Sequence, residues 1–103
     1  MRPLPHVLRH VNGDVMPLEN LPDWWEFELE LSPHLLDRMI DRGFTETDLR
    51  LMIEVTDDIR PGSSAERWIL GTIFQRQRWE VVVEPDKRDE AIVVITAYKV
   101  EAR

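Results

Sequence analysis

A chain of 103 residues with 43% hydrophobic and 32% charged side chains has room for one compact domain, so any site is built on a single core or across copies of the chain. It has no cysteine and three histidines, which excludes disulfides, thiolate chemistry and cysteine-based zinc sites, and its net charge of -7 opposes ligands rich in phosphate. With no apolar run able to span a bilayer and no secretory leader pattern, the expectation is a soluble cytoplasmic protein with no cofactor and no membrane partner.

Residues 1–22 hold four of the seven prolines and show no sustained apolar period, so they read as an irregular N-terminal extension ahead of a single domain over 23–103. His6 and His10 could share a face as metal ligands, but Pro3 and Pro5 precede them and no carboxylate stands at ligand spacing. From Trp25 the pattern alternates: Trp25, Phe27, Leu29 and Leu31 against Glu26, Glu28 and Glu30, the period of a strand with one buried face. The glutamates form its solvated face and discourage pairing with other chains, the alternative being a catalytic carboxylate pair.

Ser32 then offers an N-cap, Pro33 a favoured first helical residue and Gly43 a left-handed C-terminal position, predicting a helix over 33–42. Thr45 and Asp48 resemble a capping box, with Phe44 placed to staple onto Leu49, so a second helix runs to about Val55. Leu35, Leu36, Met39 and Ile40 of the first and Leu49, Met52 and Ile53 of the second lie at helical spacing and are expected in the core, as are Trp68 and Val94. The "TDDIRPGSS" stretch breaks the helix, and three strand-like runs follow over 66–75, 79–84 and 91–100, joined by links that suit hairpins. The expected fold is α+β: a strand, two helices packed on an antiparallel sheet, and a three-stranded meander that completes it.

Charge is unevenly spread. Arg60, Arg67, Arg76 and Arg78 outnumber Glu66 over residues 60–79, so the local sign there opposes the net sign. Within the first helix, His34, Arg38 and Arg42 fall four apart and share a sector about 80° wide. The plain reading is a solvated flank, with His34 near Asp37 and Arg38 near Asp41, each pair stabilising by a few tenths of a kcal/mol. The functional reading is that the guanidinium forks and the imidazole converge on a phosphodiester, joined by Arg67, which opens the first meander strand, and by Thr96 and Tyr98, two apart on the last.

The segment "SPHLLDRMIDRGFTETDL", followed by a polar turn, a strand with Gly71, a valine-rich strand and "VVITAYK", resembles a prokaryotic family of small domains whose hallmark is a helix with His, then Arg, then Arg-Gly. That family sits beside the BrnT and RelE toxins, within the barnase, EndoU, colicin and RelE-like ribonuclease fold, and the resemblance spans roughly residues 26–100. It implies a RelE-like domain acting on RNA, with an antitoxin protein as partner, in which His34, Arg38, Arg42 and Thr96 match the motif positions; Arg67 and Tyr98 are added by inference. Metal-free cleavage needs a base, an acid and cations for the developing phosphorane charge, with His34 as base or acid, Tyr98 as the alternative proton carrier and the arginines as stabilisers. A non-catalytic protein-interaction module that keeps the fold is the alternative, and the acidity and N-terminal extension of this chain depart from the basic toxins.

Overall fold

A computed structural model describes the backbone of Leu8–Val11 and Asp14–Pro17, and residues 21–101. Strands β1 (Leu8–Val11) and β2 (Asp14–Pro17) pair antiparallel, with Val11 opposite Asp14, inside the segment expected to be irregular. The side chains of His6 and His10 lie outside the described residues. The chain then turns through Trp24 and enters β3 (Glu28–Leu31), shorter than the alternating pattern suggested, because residues 24–27 form a turn in which the Phe27 amide donates to the Trp24 carbonyl at 3.0 Å. Trp24 is buried there, its ring 6.0 Å from that of Trp68. Within β3 the alternation holds: Glu28 and Glu30 are exposed, Leu29 and Leu31 half-buried.

Helix α1 (Pro33–Arg42) has the termini that its caps dictate. The Ser32 hydroxyl accepts from the Leu35 amide, and Gly43, at φ 74°, supplies the left-handed residue whose amide donates to the Met39 carbonyl. Helix α2 (Glu46–Glu54) opens with a complete capping box: the Asp48 amide donates to the Thr45 hydroxyl at 3.1 Å and the Thr45 amide to the Asp48 carboxylate at 2.9 Å. Phe44 and Leu49 are both buried, as a hydrophobic staple requires.

The meander is β5 (Trp68–Phe74), β6 (Gln77–Asp86) and β7 (Ala91–Lys99), antiparallel throughout. Two features extend it. A strand β4 (Asp58–Pro61) pairs with β5 in the stretch read as a break; its proline misled, since a proline is compatible with a strand at the edge of a sheet, where a donor is not needed. β3 pairs with the other side of β7 in parallel, Leu31 opposite Val94, so the five-stranded sheet is mixed, in the order β3-β7-β6-β5-β4. The α+β class stands, with the sheet larger than expected and not wholly antiparallel.

The core lies between the helices and one sheet face, where Leu70, Trp79, Val81, Val83, Ile92, Val94 and Ala97 meet Leu35, Phe44, Leu49 and Met52. Trp79 takes Phe44 and Phe74 edge-on, both at 5.5 Å. The buried Thr72 hydroxyl donates to the Met52 carbonyl and ties the last turn of α2 to β5. The expectation for α1 is corrected in part: Leu35 is buried and Met39 half-buried, but Leu36 is 51% and Ile40 85% exposed. Ten residues of helix present a single contact sector to one sheet, and Leu35 with Met39 fills it. Ile53 and Trp68 are half-buried and Val94 fully buried.

Candidate functional site

The strand register decides which of the predicted site residues meet. β6 and β7 are in step from Asp86 opposite Ala91 to Val83 opposite Val94, and again from Val82 opposite Thr96 to Trp79 opposite Lys99, so Ile95 is an extra residue in a β-bulge. Simple alternation would put Thr96 and Tyr98 on the buried face of Val94. The bulge turns both to the opposite face, away from the helices, beside Val82 and Glu80.

The α1 stripe therefore does not gather the set. His34 is exposed at the first turn, and Arg38 is paired with Asp41 at 3.8 Å on the surface. Arg42 alone reaches the sheet: its guanidinium donates to the Thr96 hydroxyl at 3.2 Å and to the Ala97 carbonyl at 2.8 Å. β3 ends opposite Val94, and past that point the β7 edge is met by the first and last turns of α1. The Ser32 amide donates to the Val94 carbonyl, the Ser32 hydroxyl to that of Ile95, and Arg42 to that of Ala97. Ser32 and Arg42 thus satisfy three carbonyls that an edge strand would leave unpaired. Arg67 pairs with Glu84 at 3.2 Å, four residues along β6 from Glu80, or about 13 Å by strand geometry.

Tyr98 has the most developed surroundings of the set. Its hydroxyl donates to Glu80 Oε1 at 2.6 Å, and the guanidinium of Arg60 donates to the other oxygen of that carboxylate. Arg60 also holds Asp58 at 2.6 Å, and Arg78, next but one to Glu80 along β6, grips Asp57 with two nitrogens at 2.8 and 2.9 Å. Gly71 lies under this group, opposite both Asp58 and Glu80. A Cβ there would come within 3.0 Å of an Arg78 nitrogen and 3.2 Å of the Asp58 Cβ, so the missing side chain leaves the space in which strands β4, β5 and β6 bring their charges together. Glu80, Arg60, Arg78, Asp57 and Asp58 were missed in the sequence as site residues. The available signal was the alternation of β6, which places Glu80 outward between inward Trp79 and Val81.

Partial burial drives the Glu80 carboxyl up, but the hydrogen bonds from Tyr98 and Arg60 and the charges of Arg60 and Arg78 outweigh it and hold the group below the ordinary carboxyl range. Burial, then the bond to Glu80, pushes the Tyr98 phenol up to about 12. Arg60 is raised by its bonds to Glu80 and Asp58, and Arg78 by its bond to Asp57. At neutral pH the face thus presents an ionised carboxylate that can take a proton, a phenol that keeps one to give, and two guanidinium groups beside them. Among the described residues, no three His, Asp or Glu side chains are arranged to hold a metal ion, and no helix is long and apolar enough to cross a membrane.

No curated protein and no solved structure matches the chain. A family model does, over residues 31–99, a span that opens at the last residue of β3 and closes at the end of β7, and so takes in both helices and every residue of the Glu80 cluster. On that match the chain belongs to the DUF4258 family, whose description is a domain of unknown function.

Proposed function

We propose that this domain is a toxin-like, metal-independent endoribonuclease whose chemistry lies on the outer sheet face, at Glu80 and Tyr98, and not along the α1 stripe. The observation that carries the reading is the Tyr98–Glu80 contact at 2.6 Å, which sets a phenol proton donor against a carboxylate acceptor beside Arg60. The pair offers one acceptor and one donor for the two proton transfers of the reaction. Glu80 would accept the proton of a ribose 2′-hydroxyl as its oxygen attacks the adjacent phosphorus, Tyr98 would protonate the departing 5′-oxygen, and Arg60 and Arg78 would stabilise the charge of the phosphorane. The resemblance of the α1 segment to a family placed beside the BrnT and RelE toxins supports the same reaction class. A cytoplasmic site of action and an antitoxin partner go with it.

A second reading, a protein-interaction module without chemistry, is favoured by the carboxylate partners of Arg60, Arg67 and Arg78 and by the net charge of -7, which leave little free positive potential for RNA. Induced expression separates the two. The ribonuclease reading expects growth arrest and fragmented total RNA from the wild type, relief by Glu80→Gln, and persistence of both effects in His34→Ala. Normal growth with intact RNA at high expression would favour the module.

A further inference from the structure

Most cations of this chain are held by carboxylates, as Arg38 is on α1, Arg50 on α2 and Arg60, Arg67 and Arg78 on the sheet. Arg76 and Lys99 have no such partner among the described residues, and both line one groove of about 450 Å³, with Gln77, Arg78, Val100 and Glu101 as its other walls. The groove lies where the chain leaves β7: the Val100 amide donates to the Arg78 carbonyl at 2.9 Å, which carries the pairing with β6 on toward the β5–β6 turn. Phe74 pairs with Gln77 across that turn, so Gln75 and Arg76 are its two central residues, at φ 52° and 66°. A two-residue hairpin of this geometry favours glycine at the second position, because a side chain in the left-handed region crowds the backbone. An arginine stands there instead, and it supplies a charge beside Lys99 that glycine could not. Arg78 is already gripped by Asp57, so the free charges of the groove are two cations and the single carboxylate of Glu101, a positive site in a chain of net -7.

We propose that this groove holds a phosphate of the RNA strand flanking the scissile one, with the Arg76 guanidinium and the Lys99 ammonium sharing its oxygens. Arg78 joins the groove to the Glu80 cluster, and Gln77 stands three residues along β6 from Glu80, about 10 Å by strand geometry. A strand whose scissile bond lies at Glu80 therefore reaches the groove with a phosphate further along. The identity of the ligand rests on the ribonuclease reading, whereas the part of the groove in binding is measured without cleavage.

The test is a titration of a fluorescein-labelled 2′-O-methyl RNA hexamer, which cannot be cleaved, with the full chain, followed by anisotropy. Saturable binding with a Kd of about 10⁻⁴ M at low salt is expected. Arg76→Gly with Lys99→Gln should weaken it at least about tenfold and make the salt dependence shallower by about 0.7, the share of one phosphate contact. A control pair, Arg50→Ala with Lys87→Ala, removes the same two charges from elsewhere on the surface and should change the affinity less than about twofold. Arg76→Gly alone should raise the melting temperature, since it relieves the left-handed position, while it weakens binding. The proposal is overturned by any of four results: unchanged affinity in the groove variant, equal weakening by the control pair, a lower melting temperature in Arg76→Gly, or equal binding of a hexaglutamate peptide, which would make the groove a site for acidic protein segments. Cleavage that Glu80→Gln abolishes, alongside unchanged affinity in the groove variant, would strike the groove and leave the chemistry standing; binding that depends on the groove without any cleavage would do the reverse.

Discussion

Glu80 and Tyr98 affect each other's protonation, and the consequence for stability can be signed. The folded chain holds the Tyr98 proton more tightly than an ordinary phenol of pKa 10.0, so the stabilisation from this group is complete below about pH 10 and is lost as pH rises through about 12. Glu80 runs the other way: its folded pKa lies below the ordinary 4.5, so its contribution is present above that value and disappears as pH falls through the folded pKa. Thermal melts of the wild type should lose more stability between pH 10 and 12 than those of Tyr98→Phe; parallel curves would mean that the contact does not hold in solution. A contrast at two adjacent residues tests the orientation of α1. Leu35→Ala should cost about 2–5 kcal/mol and Leu36→Ala less than about 0.5 kcal/mol by denaturant titration, since one is fully buried and the other half in solvent. Both are leucines at helical spacing, and the sequence offers no means of choosing between them; the position of β7 does. Glu80 was hidden for a related reason: an outward glutamate on a strand is ordinary until Tyr98 and Arg60 are brought against it from other strands.

At the scale of elements, the features legible beforehand were those written in neighbouring residues. Ser32, Pro33 and Gly43 bound α1, Thr45 and Asp48 open α2, and the alternation of β6 gives its buried face; each is a local rule with a local cause. Pairing is a property of distant residues, and there legibility ended. Nothing near Glu28 says that β3 runs parallel to β7, Pro61 argues against the edge strand it belongs to, and the bulge at Ile95 reverses the face on which Thr96 and Tyr98 stand. The α1 motif shows the same limit. Its four-residue spacing is real, yet the structure gives Arg42 the work of closing the β7 edge and leaves His34 in solvent. Arg42→Ala should therefore cost about 1 kcal/mol, the loss of charge-assisted bonds to Thr96 and Ala97, while His34→Ala and Arg38→Ala stay within about 0.5 kcal/mol. Equal effects at all three positions, read from denaturant midpoints, would remove the edge-closing role.

For the whole molecule, a sheet with helices on one face divides the described residues into a core side and a polar side. The core and both helices occupy one face; arginines, carboxylates and Tyr98 share the other, half-exposed or exposed. On the ribonuclease reading, a strand of RNA would have to displace Asp57 and Asp58 from Arg78 and Arg60 against the unfavourable field of a net charge of -7. Binding should be weak and steeply dependent on salt, with a slope of about -0.7 per phosphate contacted, measurable with a non-cleavable single strand. The most direct test of the central claim is single-turnover cleavage of a dinucleoside phosphate by the purified chain in the presence of EDTA, followed against pH. The rate should rise as the Glu80 carboxyl ionises, fall as Tyr98 deprotonates near 12, and drop by about 10²–10⁴-fold in Glu80→Gln while Arg38→Ala keeps it. An undiminished rate in Glu80→Gln, or intact substrate with the wild type at every pH, would contradict it.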